Sequence, residues 1–192
     1  MKKILTIKFL LLINVFSLYA QNTNETNELT DSYKVLTESK SFIDFEKSAR
    51  EFMSNANHHS WDKTLTYESK FLEDLELRVS STKFKDFDEA KRAYENVKQK
   101  FNDVKKENTL FFEQLKKSKN YSLAELMTLE IVESGYETCD KSYKNTLKMS
   151  AFSFESTLRY KENSSVTAWM LLENKKRLLK EAYEMCVLGS KS

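Results

Sequence analysis

The sequence predicts an all-α protein, an elongated antiparallel bundle of about five helices behind a removable N-terminal segment. Three observations predict it. The chain of 192 residues has no Pro and two Gly, Gly135 and Gly189. Sheets and convoluted loops draw their turns from Gly and Pro, so a chain almost without them favours long helices joined by short polar links. Apolar residues recur at spacings of three and four rather than two, the period of a helix face. Polar runs such as Asn57-His58-His59-Ser60 interrupt that pattern.

Residues 1–20 read as a secretory signal peptide. Lys2 and Lys3 supply a positive start, Phe9 opens an apolar stretch, and Ala20 offers a small residue at its end. The stretch falls short of the roughly 20 apolar residues that span a bilayer. Cleavage after Ala20 removes Lys2, Lys3 and Lys8, so the 31 basic residues no longer outnumber the 29 acidic ones. A near-neutral mature chain has no overall field drawing it to nucleic acid, and the mature chain has no transmembrane segment. The expected location is the periplasm or the extracellular space.

Residues 21–29 form a polar leader, and 30–192 are read as one domain, long enough to bury a core. The first helix is expected from Thr30 to Asn57 on the seam Tyr33, Leu36, Phe42, Phe45, Ala49, Phe52 and Ala56. Ser60 caps a second helix carrying Trp61, Leu65, Leu72, Leu75 and Val79, which is expected to form a hairpin with the first. The run from Ser80 to Asp86 breaks the pattern.

Asp86 and Glu89 open the third helix as a cap-like pair. Phe87, Ala90, Tyr94, Val97, Phe101, Val104, Asn108, Phe111 and Leu115 then form a coiled-coil-type seam. Asn108 is its polar interruption, a device that fixes register or oligomer state, so self-association is an open expectation. Ser122 with Glu125 makes a capping box, and Tyr121 with Leu126 a hydrophobic staple, for a fourth helix running to Tyr160 with Gly135 inside it. The fifth helix carries Trp169, Leu172, Leu179, Tyr183 and Cys186 after the link 161–165.

Cys139 and Cys186 are the two cysteines, and both lie on apolar seams. If the fourth and fifth helices form an antiparallel hairpin about the link 161–165, the cysteines face each other. The same register sets Tyr143 by Ala182 and Tyr183, Leu147 by Leu178 and Leu179, and Phe154 by Leu171 and Leu172. An exported protein with cysteines so placed is expected to oxidise them to a disulfide, the alternative being two unpaired core thiols. Their spacing is nothing like a C-x-x-C metal or redox motif.

Catalytic signatures are missing. There is no H-E-x-x-H, no E-x-x-H, no C-x-x-C-H, no nucleophile elbow and no Gly-rich phosphate loop. No cofactor is implied. His58, His59 and Asp62 are the candidate metal ligands, since His58 and Asp62 stand four apart, although adjacent histidines do not share a helix face. Lys175, Lys176, Arg177 and Lys180 form the densest basic cluster and are the candidate interaction residues. Phe112, Tyr67 and Phe152 fall off the seams and are either second-face core or a binding surface. These readings point to an exported, non-enzymatic protein that binds another macromolecule, another protein first of all, with a small-ligand or divalent-metal-binding bundle as the alternative.

Overall fold

The computed structural model describes residues 28–57, 66–117, 123–129, 134–160 and 165–190. The signal-peptide region, the Ser122 cap and the candidate metal ligands His58, His59 and Asp62 lie outside the described residues. Those residues are all-α, in eight α-helices: α1 (28–38), α2 (Lys40–Asn55), α3 (Glu68–Leu77), α4 (Phe87–Glu107), α5 (Thr109–Lys117), α6 (Leu123–Leu129), α7 (Glu137–Tyr160) and α8 (Ser165–Gly189). The five expected rods are recognisable, with three of them broken once each. The breaks fall at Ser39, Asn108 and Gly135.

Helix α1 starts at residue 28, two residues ahead of expectation, because Leu29 extends its seam by one turn and is buried with Tyr33 and Leu36. Ser39 then both ends α1 and caps α2. Its hydroxyl donates to Leu36 O at 2.7 Å and accepts from Phe42 N at 3.3 Å. Helix α2 buries Phe42, Phe45, Ala49, Phe52 and Met53, the face its periodicity sets out.

Helix α4 is capped by Asp86, whose carboxylate accepts from Glu89 N at 2.8 Å, while Glu89 reaches back to Lys85 N at 2.6 Å. It buries Ala90, Tyr94, Val97, Phe101 and Val104. The pairs Phe45–Phe101 and Phe52–Tyr94 set α2 antiparallel to α4. Tyr33–Phe111 and Ser32–Gln114 continue that register from α1 to α5.

The second break sits opposite the first. Asn108 Nδ2 donates to Val104 O at 3.1 Å and to Ser39 Oγ at 3.3 Å. Thr109 Oγ1 bonds back to Lys105 O and Lys106 O, a habit of Thr that bends helices. The buried polar seam residue thus fixes register within the chain, tying one interrupted rod to the other.

Helix α3 does not form a hairpin with α2. Lys98–Glu68 and Phe71–Tyr94 set it antiparallel to α4, and the chain beyond it meets the end of α2 through Lys83 N to Asn55 O at 2.8 Å. Helices α2 and α3 therefore run in the same sense. Asn57 ends the α2 rod with φ 47°, a left-handed conformation that Asn tolerates.

The fourth rod is broken rather than continuous. Gly135 has φ 83°, a conformation that a side chain would strain. Asp140 holds the break, accepting from Ser134 N at 3.0 Å and from Ser134 Oγ at 2.8 Å.

Residues 166–174 of α8 are buried on every side. A helix apolar all round belongs inside the bundle. Trp169 lies there at 1% exposure, with ring centroids of Phe42, Phe101, Phe111 and Phe112 at 6.1–6.5 Å. Phe112 is therefore second-face core, whereas Tyr67 and Phe152 are exposed at 42% and 68%. Tyr94 spends its hydroxyl on Thr167 Oγ1 at 2.8 Å, and burial pushes its phenol well above the ordinary range.

Candidate functional site

The expected register of the last hairpin holds where Cys139 and Tyr143 meet α8. Cys139 and Cys186 form a disulfide with S–S 1.97 Å and Cα–Cα 6.0 Å. One turn further along, Tyr143 and Tyr183 stack at 4.8 Å with their planes 20° apart. Tyr183 also donates its hydroxyl to Asp140 Oδ1 at 2.6 Å. One carboxylate therefore serves the Gly135 break and the hairpin at once.

Those bonds set the charge of Asp140. The hydrogen bond from Tyr183, then the Ser134 N–H and hydroxyl, hold its carboxyl below the usual carboxylate range. A carboxylate more acidic in the folded state stabilises the fold above its unfolded pKa of about 3.9, and that contribution disappears as pH falls through the folded value. Wild type is thus expected to melt above Asp140→Asn at neutral pH, with the gap closing below about pH 4. Parallel thermal melts across that range check it. A gap that persists at low pH would mean that the carboxylate charge is not what matters.

At the base of this hairpin α2, α6, α7 and α8 enclose a groove of about 700 Å³. Its lining from α8 is one stripe: Glu173, Lys176, Arg177, Lys180 and Glu184 recur at three and four, with Glu181 and Tyr183 beside them. Helix α2 supplies Glu46 and Arg50, one turn apart and off its buried face. Met127 of α6 with Tyr143 and Leu147 of α7 give the apolar part of the wall.

Three of the four basic residues singled out in the sequence, Lys176, Arg177 and Lys180, meet here, while Lys175 does not line the groove. They are not a bare cationic patch. Arg177 gives one nitrogen to Glu181 Oε1 at 2.6 Å and another to Asn174 Oδ1 at 3.0 Å. Lys176 Nζ stands 4.0 Å from Glu173 Oε2. Four cations and four glutamates share the wall, so its charge is balanced and both signs are present.

Sequence reasoning missed Glu46 and Arg50, which are more than a hundred residues away along the chain and join the site only through the fold. The tyrosines were within reach, because the cysteine register already placed Tyr143 beside Tyr183. Among the described residues no helix is long and apolar enough to cross a membrane. No protein-family model matches the chain, and no curated protein and no solved structure matches it.

Proposed function

We propose that this chain is an exported, non-enzymatic helical protein that binds a segment of another envelope or extracellular polypeptide in the groove between α2 and the α7–α8 hairpin. The observation that carries this reading is the groove wall, in which Arg50, Lys176, Arg177 and Lys180 stand with four glutamates beside the Tyr143–Tyr183 stack. A polypeptide can present both signs of charge to such a wall and bury apolar side chains on the tyrosines. A nucleic acid or other polyanion would meet four carboxylates. Tyr and Arg are also the residues that protein interfaces favour.

Export rests on the N-terminal pattern and on the disulfide, which is compatible with an oxidising compartment. The volume of the groove lies within the range of small-molecule sites, which favours the small-ligand alternative. Its open, charged wall favours the polypeptide, since small-ligand sites are mostly apolar.

A photoreactive phenylalanine analogue tests this reading when it replaces Glu184 in the groove and, separately, exposed Lys91 on α4. In the producing cell the first position is expected to give a discrete protein adduct and the second none. Charge reversal by Arg50→Glu with Lys180→Glu should reduce that adduct at least ~10-fold, since each misplaced interface charge costs about 1 kcal/mol or more. Equal labelling at both positions, or an adduct indifferent to the reversal, counts against the groove.

A further inference from the structure

We propose that the Cys139–Cys186 disulfide is a directional redox latch, opened by an external dithiol that attacks Cys186 Sγ and expels Cys139. The two cysteines differ in access. Cys186 lies on the exposed face of α8, whereas Cys139 is buried at 3% exposure. An incoming thiolate therefore has a path to Cys186.

The leaving side is prepared as well. Cys139 is the third residue of α7, where the free N–H groups of the helix start favour a thiolate. Ser190 Oγ stands 3.7 Å from Cys139 Sγ and can turn to it the proton that it gives to Cys186 O at 2.9 Å. Glu137 and Asp140, also in the first turn, carry negative charge and offset part of this stabilisation. A better-stabilised thiolate leaves faster.

The exchange balances. The thiolate of the dithiol bonds to Cys186 Sγ as the protein S–S bond breaks, and the electron pair goes to Cys139 Sγ. The second thiol of the reductant loses its proton to solvent and attacks its own sulfur in the mixed disulfide. That releases Cys186, and both protein thiolates take protons from water. The protein gains two electrons and two protons, and the dithiol becomes a disulfide.

The opening is local. Residues 166–174 of α8 are buried on every side, whereas 180–190 are exposed apart from half-buried Tyr183 and Val187. Reduction loosens the outer part of α8, which the Tyr143–Tyr183 stack and the Tyr183–Asp140 bond then hold alone, and leaves the inner part seated. Because Glu181, Tyr183 and Glu184 line the groove, its shape then follows the redox state. That last consequence rests on the groove being a binding site, whereas the latch itself does not.

The test uses the full oxidised chain and no groove partner, so its failure and that of the groove reading are distinguishable. Limiting reduced glutathione, a quench with N-ethylmaleimide and peptide mapping locate the mixed disulfide. It is expected on Cys186 in at least ~10-fold excess over Cys139. Dithiothreitol should then raise amide exchange across 180–190 at least ~10-fold while 166–174 stay unchanged. Glutathione on Cys139, or equally on both, overturns the direction of attack. No reaction without denaturant, or equal loosening of 166–174, overturns the latch.

Discussion

Trp169→Ala is expected to cost about 3–5 kcal/mol and to lower the melting temperature by roughly 6–20 °C. Trp169 is buried at 1% exposure among Phe42, Phe101, Phe111 and Phe112, so it joins rings from α2, α4 and α5 to α8. Removing the indole loses its transfer energy and leaves a hole that rigid neighbouring rings cannot fill. Edge and tilted ring contacts add about 0.5–1.5 kcal/mol for each pair lost. Trp169→Phe keeps one ring in place and should lose less than half as much. Thermal melts followed by circular dichroism decide it. A loss under about 1 kcal/mol would mean that the ring cluster does not organise the core.

Replacing Cys139 and Cys186 together by Ser is expected to lower stability by about 2–4 kcal/mol while leaving helix content unchanged in the cold. The separation of 47 residues puts the chain-entropy figure at about 4 kcal/mol, an upper value for this loop. The helix content stays because Tyr143–Tyr183 stacking and the Tyr183–Asp140 hydrogen bond still hold the hairpin, and residues 166–174 are buried without help from the bridge. Denaturant melts of the double variant and wild type check the difference. An unchanged transition would mean that the bridge adds nothing to the fold. A loss of helix in the cold would mean that the hairpin depends on it.

The rods were legible because each buries one continuous seam, and a seam is a one-dimensional signal. The breaks were less so. Ser39 and Asn108 each look tolerable inside a helix, and the reason they interrupt one is the bond between them across 69 residues. Gly135 was visible as a weak point, but its left-handed turn depends on Asp140 capturing Ser134, which periodicity does not report. The same-sense run of α2 and α3 depends on how the chain crosses between them, and a seam carries no direction.

The site divides along the same line. Lys176, Arg177 and Lys180 stood out as a cluster on one helix. That they face Glu46 and Arg50 follows from the packing of α2 on α8, and that packing turns a basic run into a balanced wall. The cysteine pair was readable because a hairpin register relates distant residues by simple counting. Tyr143 and Tyr183 came with it.

Native mass spectrometry of the protein isolated from its own cells, beside the Arg50→Glu/Lys180→Glu variant, tests the groove most directly. An oxidised chain in complex with a polypeptide is expected, and the variant is expected to lose that complex. A small-molecule mass carried by the wild type and lost in the variant would contradict it and give the groove to a ligand instead.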